Sequence, residues 1–215
     1  MENVKKKTAI AISYLMHPLL MPTIGLVLVF FIGNIQGFNP YSSAEDIKNI
    51  YIVFTTIFLG TAIFPLFIGL ILKRLNYISN LHIPKREERI IPFILTGISY
   101  IGIIYLYTEV LSLNLDPRIY SIIVGATLSI IIGLLITLSW KISLHMIGIG
   151  GLIGILVLIS KLGDKILFYP LILSIIIAGL IGFGRLFLKA HSIQQVIAGI
   201  LLGFICETMP LIFLI

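Results

Sequence analysis

The chain has 215 residues, of which 59% are hydrophobic and only 11% are charged. A soluble domain carries about 25% charged residues, so this composition excludes an ordinary soluble protein. The formal net charge of +6 does not indicate nucleic-acid binding, because the basic residues flank apolar segments, where they orient spans and meet anionic lipid headgroups. The single cysteine, Cys206, excludes an internal disulfide. The sequence therefore predicts an integral membrane protein with an all-α fold.

Seven apolar segments follow one another along the chain. All but the short fifth are close to the roughly 20 residues that a helix needs to cross a bilayer. Their predicted ranges are 9–32, 51–72, 91–112, 120–140, 144–160, 167–188 and 192–215. We therefore expect a polytopic transmembrane helix bundle of about six or seven spans that forms one membrane domain, 1–215.

Prolines predict irregular helices in the first two segments. His17-Pro18 and Pro22 predict a kink or break in the first, and Pro65 predicts a kink in the second. Two interpretations of His17 stay open: it lines a site at the break, or it bonds a backbone carbonyl that the kink frees. Glycines at several positions predict close helix packing, namely Gly148, Gly150, Gly151, Gly154, Gly179, Gly182 and Gly184.

The connections differ in charge. A polar connection without a motif is predicted at 33–50, with tight turns at 114–117 and 161–165. With seven spans, the N-terminus and the second, fourth and sixth connections lie on one side, which holds eleven Lys and Arg against four on the other. Seven against four remain when four candidate site residues are left out: Lys85, Arg89, Lys141 and Arg185. This bias predicts that the first side is cytoplasmic, and the assignment inverts if the first segment does not span.

Three polar clusters fall on that side. In the first, Lys85-Arg86-Glu87-Glu88-Arg89, Lys85 and Arg89 are four residues apart and share a helical face. Arg presents a planar set of donors that matches phosphate oxygens, and Lys adds a mobile charge. The alternative is a solvated loop whose charges only orient the protein.

The second cluster, Lys141-Ile142-Ser143-Leu144-His145, opens the fifth segment. The Ser143 hydroxyl can cap this helix, and backbone N–H groups at a helix start bind anions. The His145 imidazole can transfer a proton to a leaving oxygen. The alternative is a capping serine beside a histidine at the level of the lipid headgroups.

The third cluster joins the last two segments. His191 and Gln195 are four residues apart on one face of the seventh helix, and Arg185 precedes His191 by six residues. Gln195 can hydrogen-bond one ring nitrogen of a partner or orient His191 itself, and the other ring nitrogen would stay free to attack. Lys189 is expected to extend to the membrane interface.

Together these clusters resemble the type 2 phosphatidic acid phosphatase superfamily, whose signatures are Lys-x6-Arg-Pro, Pro-Ser-Gly-His and Ser-Arg-x5-His-x3-Asp. Arg185-x5-His191-x3-Gln195 keeps the third spacing, with Gly184 in place of Ser and Gln195 in place of Asp. The second signature keeps only its Ser and His, as Ser143 and His145. The first appears as a shortened Lys85-x3-Arg89-x2-Pro92.

The resemblance covers about 85–195, which it marks as a phosphatase-like helical core. The N-terminal spans, 9–72, precede this core, and the last span occupies 192–215. The first 80 residues match none of the motifs, so the resemblance assigns them no role.

The resemblance implies a metal-independent mechanism without a cofactor. His191 attacks a phosphomonoester or diphosphate of a lipid and forms a phosphohistidine, and His145 protonates the leaving alcohol. The phosphate is bound by Lys85, Arg89, Ser143 and Arg185. The expected partners are a lipid phosphate of the phosphatidic acid, phosphatidylglycerophosphate or polyprenyl type and the surrounding membrane lipids, and the expected location is a bacterial inner membrane.

The neutral Gln195 leaves other functions open. An Asp would orient His191 and stabilise its positive charge, whereas an amide can only orient the ring. The first alternative is a non-catalytic module that binds or transports a lipid phosphate with the same cationic pocket. The second is a structural or transport protein whose charges only anchor its helices. The sequence does not determine the oligomeric state.

Overall fold

A computed structural model describes residues 2–32, 44–81, 83–113, 117–161 and 165–214. Within these ranges the chain forms nine α-helices connected in part by short 3-10 and π segments. The helices are α1 (Glu2–Leu15), α2 (Met21–Val27), α3 (Ala44–Phe58), α4 (Phe64–Arg74), α5 (Ile90–Tyr105), α6 (Pro117–Thr137), α7 (Leu144–Lys161), α8 (Phe168–Phe187) and α9 (Ile193–Leu214). The predicted turns at 114–117 and 161–165 and most of the connection at 33–50 lie outside the described residues.

Seven helical stretches are long and apolar enough to cross a membrane, which confirms the predicted polytopic all-α bundle. They are Val4–Phe30, Lys48–Arg74, Glu87–Val110, Pro117–Thr137, Leu144–Lys161, Phe168–Phe187 and Ile193–Phe213. The largest difference from the predicted bounds is at the start of the first span, at Val4 instead of residue 9.

The predicted break in the first span is present. Helix α1 ends at Leu15, and a 3-10 segment, Pro18–Leu20, precedes α2. His17 is extended, and its Nδ1 accepts a hydrogen bond of 3.4 Å from the Leu19 N–H. The imidazole therefore caps the 3-10 segment by accepting from a backbone donor. In the second span a π segment, Leu59–Ile63, lies directly before α4, which carries Pro65 in its first turn.

Helix α7 lies at the centre of the bundle and is the most buried of the seven spans. It packs backbone to backbone against α9, because a Cβ on Gly150 would overlap the Ile200 carbonyl oxygen and one on Gly203 would overlap that of Ile147. Such close packing through small residues is typical of membrane helices. The prediction for Gly150 is thus confirmed, whereas Gly179 faces open space.

The hydrophobic core surrounds this helix pair. All seven spans contribute fully buried side chains to it, as with Val29, Ile57, Tyr107, Ile122, Ile149, Ile181 and Leu211. Large apolar side chains also cover the outside, as with Phe67, Ile98, Ile176 and Phe213. An apolar exterior suits helices that contact lipid on the outside and each other on the inside.

Candidate functional site

The three polar clusters meet at one end of the bundle. Arg86 Nη1 donates to the Leu138 carbonyl at 3.0 Å, which joins the loop before α5 to the end of α6. The ring Nε2 of His145 lies 3.0 Å from the Ser13 carbonyl oxygen, which joins the start of α7 to the first span. The connections that the sequence assigned to one side are therefore in direct contact.

Arg89 is held in place by backbone carbonyls. It ends a 3-10 turn, Glu87–Arg89, that leads into α5, and it is only 6% exposed. Its Nε donates to the Ile83 carbonyl at 2.9 Å, and its Nη1 donates to the Ile142 carbonyl at 3.1 Å. The Nη2 amino group has no partner among the described residues, so it remains available to an anion.

The start of α7 supplies two further groups. The Ser143 carbonyl accepts from the N–H groups of Met146 and Ile147, but the fully buried Ser143 hydroxyl has no hydrogen-bond partner among the described residues. The hydroxyl therefore does not cap the helix, and its hydrogen-bonding capacity is left for a ligand. Burial lowers the pKa of the neighbouring Lys141 ammonium, and the positive charges of Arg89 and Arg185 act in the same direction.

The connection between α8 and α9 is built from two capping motifs. Helix α8 ends in a Schellman motif: the Lys189 N–H bonds the Leu186 carbonyl, the Ala190 N–H bonds the Arg185 carbonyl, and Lys189 adopts a left-handed conformation with φ of 52°. Helix α9 then begins with a capping box, in which the Gln195 N–H bonds Ser192 Oγ. The only residue between the two motifs is His191.

Gln195 fixes the tautomer of His191. Its Oε1 accepts from the Ser192 N–H at 3.2 Å and lies 3.0 Å from His191 Nδ1. Because the Ser192 N–H can only donate, the atom that it meets is the amide oxygen. His191 Nδ1 therefore carries the proton, and Nε2 of the neutral ring has the free lone pair that a nucleophile needs.

His191 is kept neutral by its surroundings. The side chain is buried, with 8% exposed, and burial lowers its pKa to about 3. The charges of Arg89, Lys141 and Arg185 contribute to this lowering of the pKa, while the hydrogen bond to Gln195 opposes it. The imidazole thus lies within the field of three cations that come from three distant parts of the sequence.

Ser13 of α1 connects the remaining groups. Arg185 Nη1 donates to Ser13 Oγ at 3.3 Å, and His145 donates from Nε2 to the Ser13 carbonyl. The Arg185 Nε is buried and has no partner among the described residues. The rings of His145 and His17 are 5.6 Å apart in an edge-to-face arrangement. His17 therefore contacts the site, as one of its two predicted interpretations proposed.

We call Arg89, Lys141, His145, Arg185 and His191 the basic cluster. Among the described residues, the salt bridges are Lys85–Glu88 at 3.3 Å and Arg86–Glu87 at 3.3 Å, so no carboxylate neutralises the cluster. Partly buried cations without a counter-ion are costly, and an anion with several oxygens would satisfy the free donors. The arrangement is thus suited to binding a phosphate.

Lys85 lies outside the basic cluster. Its side chain is 69% exposed and pairs with Glu88, which also accepts from the backbone and hydroxyl of Ser79. The loop before α5 directs Arg89 inward and Lys85 outward, because the turn between them is 3-10 and not α-helical. The structure therefore brings together Arg89, Ser143, His145, Arg185, His191 and Gln195, and it has Lys141 where the resemblance implied Lys85.

Sequence reasoning missed two contributors. Ser13 lies four residues before His17 in an apolar segment, and only that spacing hinted that it faces the same site. The carbonyls of Ile83 and Ile142, which hold Arg89, leave no signal in the sequence at all. Among the described residues, no group of three His, Cys, Asp or Glu side chains is placed to hold a metal ion.

No protein-family model, curated protein or solved structure matches this chain.

Proposed function

We propose that the protein is a membrane-embedded phosphatase that hydrolyses a lipid phosphomonoester or diphosphate through a phosphohistidine. The observation that carries the proposal is the basic cluster, in which three cations surround a neutral imidazole without an acidic partner among the described residues. Phosphoryl transfer requires mainly in-line positioning and cations around the transferred group, and the cations of the cluster support the proposal.

The proposed roles follow the geometry. Arg89, Lys141 and Arg185 bind the phosphate oxygens, with the Ser143 hydroxyl beside them. His191 Nε2 attacks phosphorus, and the bond to the leaving lipid oxygen breaks. Water then releases inorganic phosphate and restores the neutral ring.

The proposed acid is His145, which first needs a second proton. Its Nε2–H is committed to the Ser13 carbonyl, so the proton for the leaving oxygen must be carried on Nδ1. A bound phosphate favours that imidazolium, because opposite charges within a few ångströms stabilise each other.

The decisive experiment measures phosphate release by the purified protein in detergent. The substrates are phosphatidic acid, phosphatidylglycerophosphate and polyprenyl phosphate or diphosphate, and the variant is His191→Ala. We expect turnover by the wild type and its loss in the variant, together with an alkali-stable phosphoenzyme that only the wild type forms. Equal turnover by the two proteins would remove the proposal.

Two lysine variants form a matched pair for the site assignment. Lys141→Ala and Lys85→Ala each remove one ammonium group, but only Lys141 belongs to the basic cluster. We expect weaker substrate binding in Lys141→Ala and nearly unchanged binding in Lys85→Ala. The reverse result would assign phosphate binding to Lys85, as the motif spacing implies, instead of Lys141, as the geometry implies.

A second candidate function is a module that binds or transports a lipid phosphate without hydrolysing it. The observation that favours it is Gln195, which orients His191 but adds no negative charge to stabilise an imidazole that becomes cationic on attack. This function predicts lipid-phosphate binding without turnover, and some turnover in Gln195→Asp. Robust hydrolysis by the wild type would exclude it.

We also propose that the basic cluster faces the cytoplasm of a bacterial inner membrane. If all seven apolar helices span, Lys5-Lys6-Lys7 lie on the same side as the cluster, and the preference of basic residues for the cytoplasmic side supports the proposal. Single cysteines introduced at Lys85 and Arg118, in a Cys206→Ser background, should react with a membrane-impermeant thiol reagent from opposite sides. Labelling of both from one side would contradict this topology.

A further inference from the structure

One acidic side chain lies deep inside the bundle, away from the basic cluster. Glu207 of α9 is 5% exposed and is the only buried acidic residue in the described ranges. No described residue forms a hydrogen bond or ion pair with its carboxyl group. Ionisable groups inside a membrane are costly and usually belong to a functional site, so this one requires an explanation.

The surrounding helices make room for this carboxyl group. A Cβ on Gly125 of α6 would overlap the Glu207 carboxylate and Cα, and a Cβ on Gly151 of α7 would lie 3.8 Å from Glu207 Oε2. Gly125 thus leaves the space that the carboxyl group fills, whereas a Cβ at Gly151 would make only ordinary van der Waals contact with it. Its position is therefore part of the packing of α6, α7 and α9.

Glu207 also lines a cavity of about 60 Å³. A cavity measured in this way needs only about 10–15 Å³ to hold a water molecule, provided that it also offers polar partners. The polar residues that line the cavity together with Glu207 are Tyr100 and Ser129. Further lining residues are Pro18 and Leu144, the direct sequence neighbours of His17 and His145. The cavity therefore reaches the elements that carry the two imidazoles.

In the part of the chain that the structure describes, no cation lines this cavity. Beside Glu207, its titratable lining residue is Tyr100 of α5, and Cys206 is the neighbour of Glu207 on α9. The first span and helices α6 and α7 contribute apolar side chains, glycines and Ser129. A carboxyl group in such surroundings is favoured as the neutral acid, because nothing compensates the charge of a carboxylate.

We propose that Glu207 and its cavity form a proton-binding site inside the membrane. The carboxylate takes a proton from a hydronium ion that reaches the cavity, which leaves a carboxylic acid and a water molecule, and the reverse reaction releases the proton. This proposal does not rest on phosphatase activity. It holds equally for an enzyme and for a transport module.

Dicyclohexylcarbodiimide, an apolar reagent, tests the proposal directly. A protonated carboxylic acid adds across its C=N bond, and the acyl group then shifts to nitrogen to give a stable N-acylurea that contains the whole reagent. Full-length protein in detergent is treated at a series of pH values, and the modified residue is located by mass spectrometry. We expect modification of Glu207 near neutral pH and its loss as the pH is raised.

Two carboxamide variants provide the controls. Glu207→Gln should lose the modification, and Glu109→Gln, which alters an exposed carboxyl group near the end of another span, should keep it. The wild-type infrared spectrum should contain a carboxylic acid band that Glu207→Gln lacks. This band tests the proposal even if the reagent does not enter the bundle.

Three results would overturn the proposal. The first is the absence of both the modification and the infrared band in the wild type. The second is modification that does not change with pH, which would mean that the proton is not exchanged. The third is protection by sodium ions at constant pH, which would assign the site to a metal cation instead.

Discussion

The basic cluster and the Glu207 cavity solve the same physical problem in different ways. Both place ionisable groups inside a membrane protein without an oppositely charged side chain among the described residues. In the basic cluster, backbone carbonyls and the Ser13 hydroxyl hold Arg89 and Arg185. Glu207 has no such support and lies against glycines and a cavity. An arginine cannot lose its charge and must be held by acceptors, whereas a carboxyl group can become neutral.

Removing an arginine is the strongest way to break the basic cluster. Arg89→Ala should reduce kcat/KM for a lipid phosphate by about 100-fold or more, the usual effect of losing one donor that stabilises a transition state. Arg89→Lys should recover only part of the loss, because one ammonium group cannot replace both backbone contacts and the free Nη2. Steady-state kinetics in detergent measure both, and an unchanged kcat/KM in Arg89→Ala would place phosphate binding elsewhere.

Filling the space beside Glu207 should disrupt the Glu207 cavity and leave the basic cluster intact. In Gly125→Val the new side chain would overlap the Glu207 carboxyl group, which overpacks the contact between α6 and α9. We expect a loss of about 1–3 kcal/mol in stability, measured by thermal unfolding in detergent. Binding of lipid phosphate at a temperature where the variant is folded should be unchanged. Gly179→Val, at a glycine that faces open space, is the matched control.

The pH dependence of His191 sharpens the comparison. Because its pKa in the folded protein is about 3, the ring is neutral at pH 7, and the rate should not fall on acidification until well below the usual value of about 6.5. Unfolded protein binds a proton here below about 6.5, so this group's contribution to stability is full above that pH and declines as the pH falls towards 3. In Lys141→Ala the acidic limb of kcat/KM should move to higher pH, because one nearby positive charge is gone. An unmoved limb would mean that Lys141 does not act on His191.

The smallest effect concerns the turn that positions His191. Lys189 adopts a left-handed conformation, which costs a residue with a Cβ about 1–2 kcal/mol. Glycine avoids this cost, but its greater conformational entropy in the unfolded state cancels part of the gain in stability. Lys189→Gly should therefore stabilise the protein by roughly 0.5 kcal/mol. Lys189→Ala removes the same charge but keeps the Cβ, so it should not stabilise. Thermal unfolding of the two variants separates backbone strain from charge.

The sequence predicted the bundle well because each span has its own local pattern in the sequence. A run of apolar residues near bilayer length identifies a helix without knowledge of its neighbours, and His17-Pro18 identified the break in the first span. The convergence of the basic residues was also predictable, since alternating spans return every second connection to one side. The spacing of His191 and Gln195 correctly predicted their hydrogen bond.

What the sequence could not predict depends on contacts between segments. The exposure of Lys85 follows from the 3-10 turn before α5, and the burial of Arg89 depends on backbone carbonyls that receive it, one of them 53 positions away. Ser13 bonds two residues that are more than a hundred positions away. The position of Glu207 requires Gly125 of another helix, which a periodic apolar pattern does not distinguish from an ordinary packing glycine.

The backbone contact between α7 and α9 has a consequence for the substrate. His145 lies in the first turn of α7, and His191 directly precedes the capping box of α9, so the spacing of the two imidazoles is set by main chain that cannot slide without a clash at Gly150 or Gly203. One wall of the pocket is therefore rigid. Any adaptation of the proposed site to a larger headgroup would come from the opposite wall, where side-chain hydrogen bonds to Ser13, Ile83, Leu138 and Ile142 hold the broken first helix and the loop that carries Arg89.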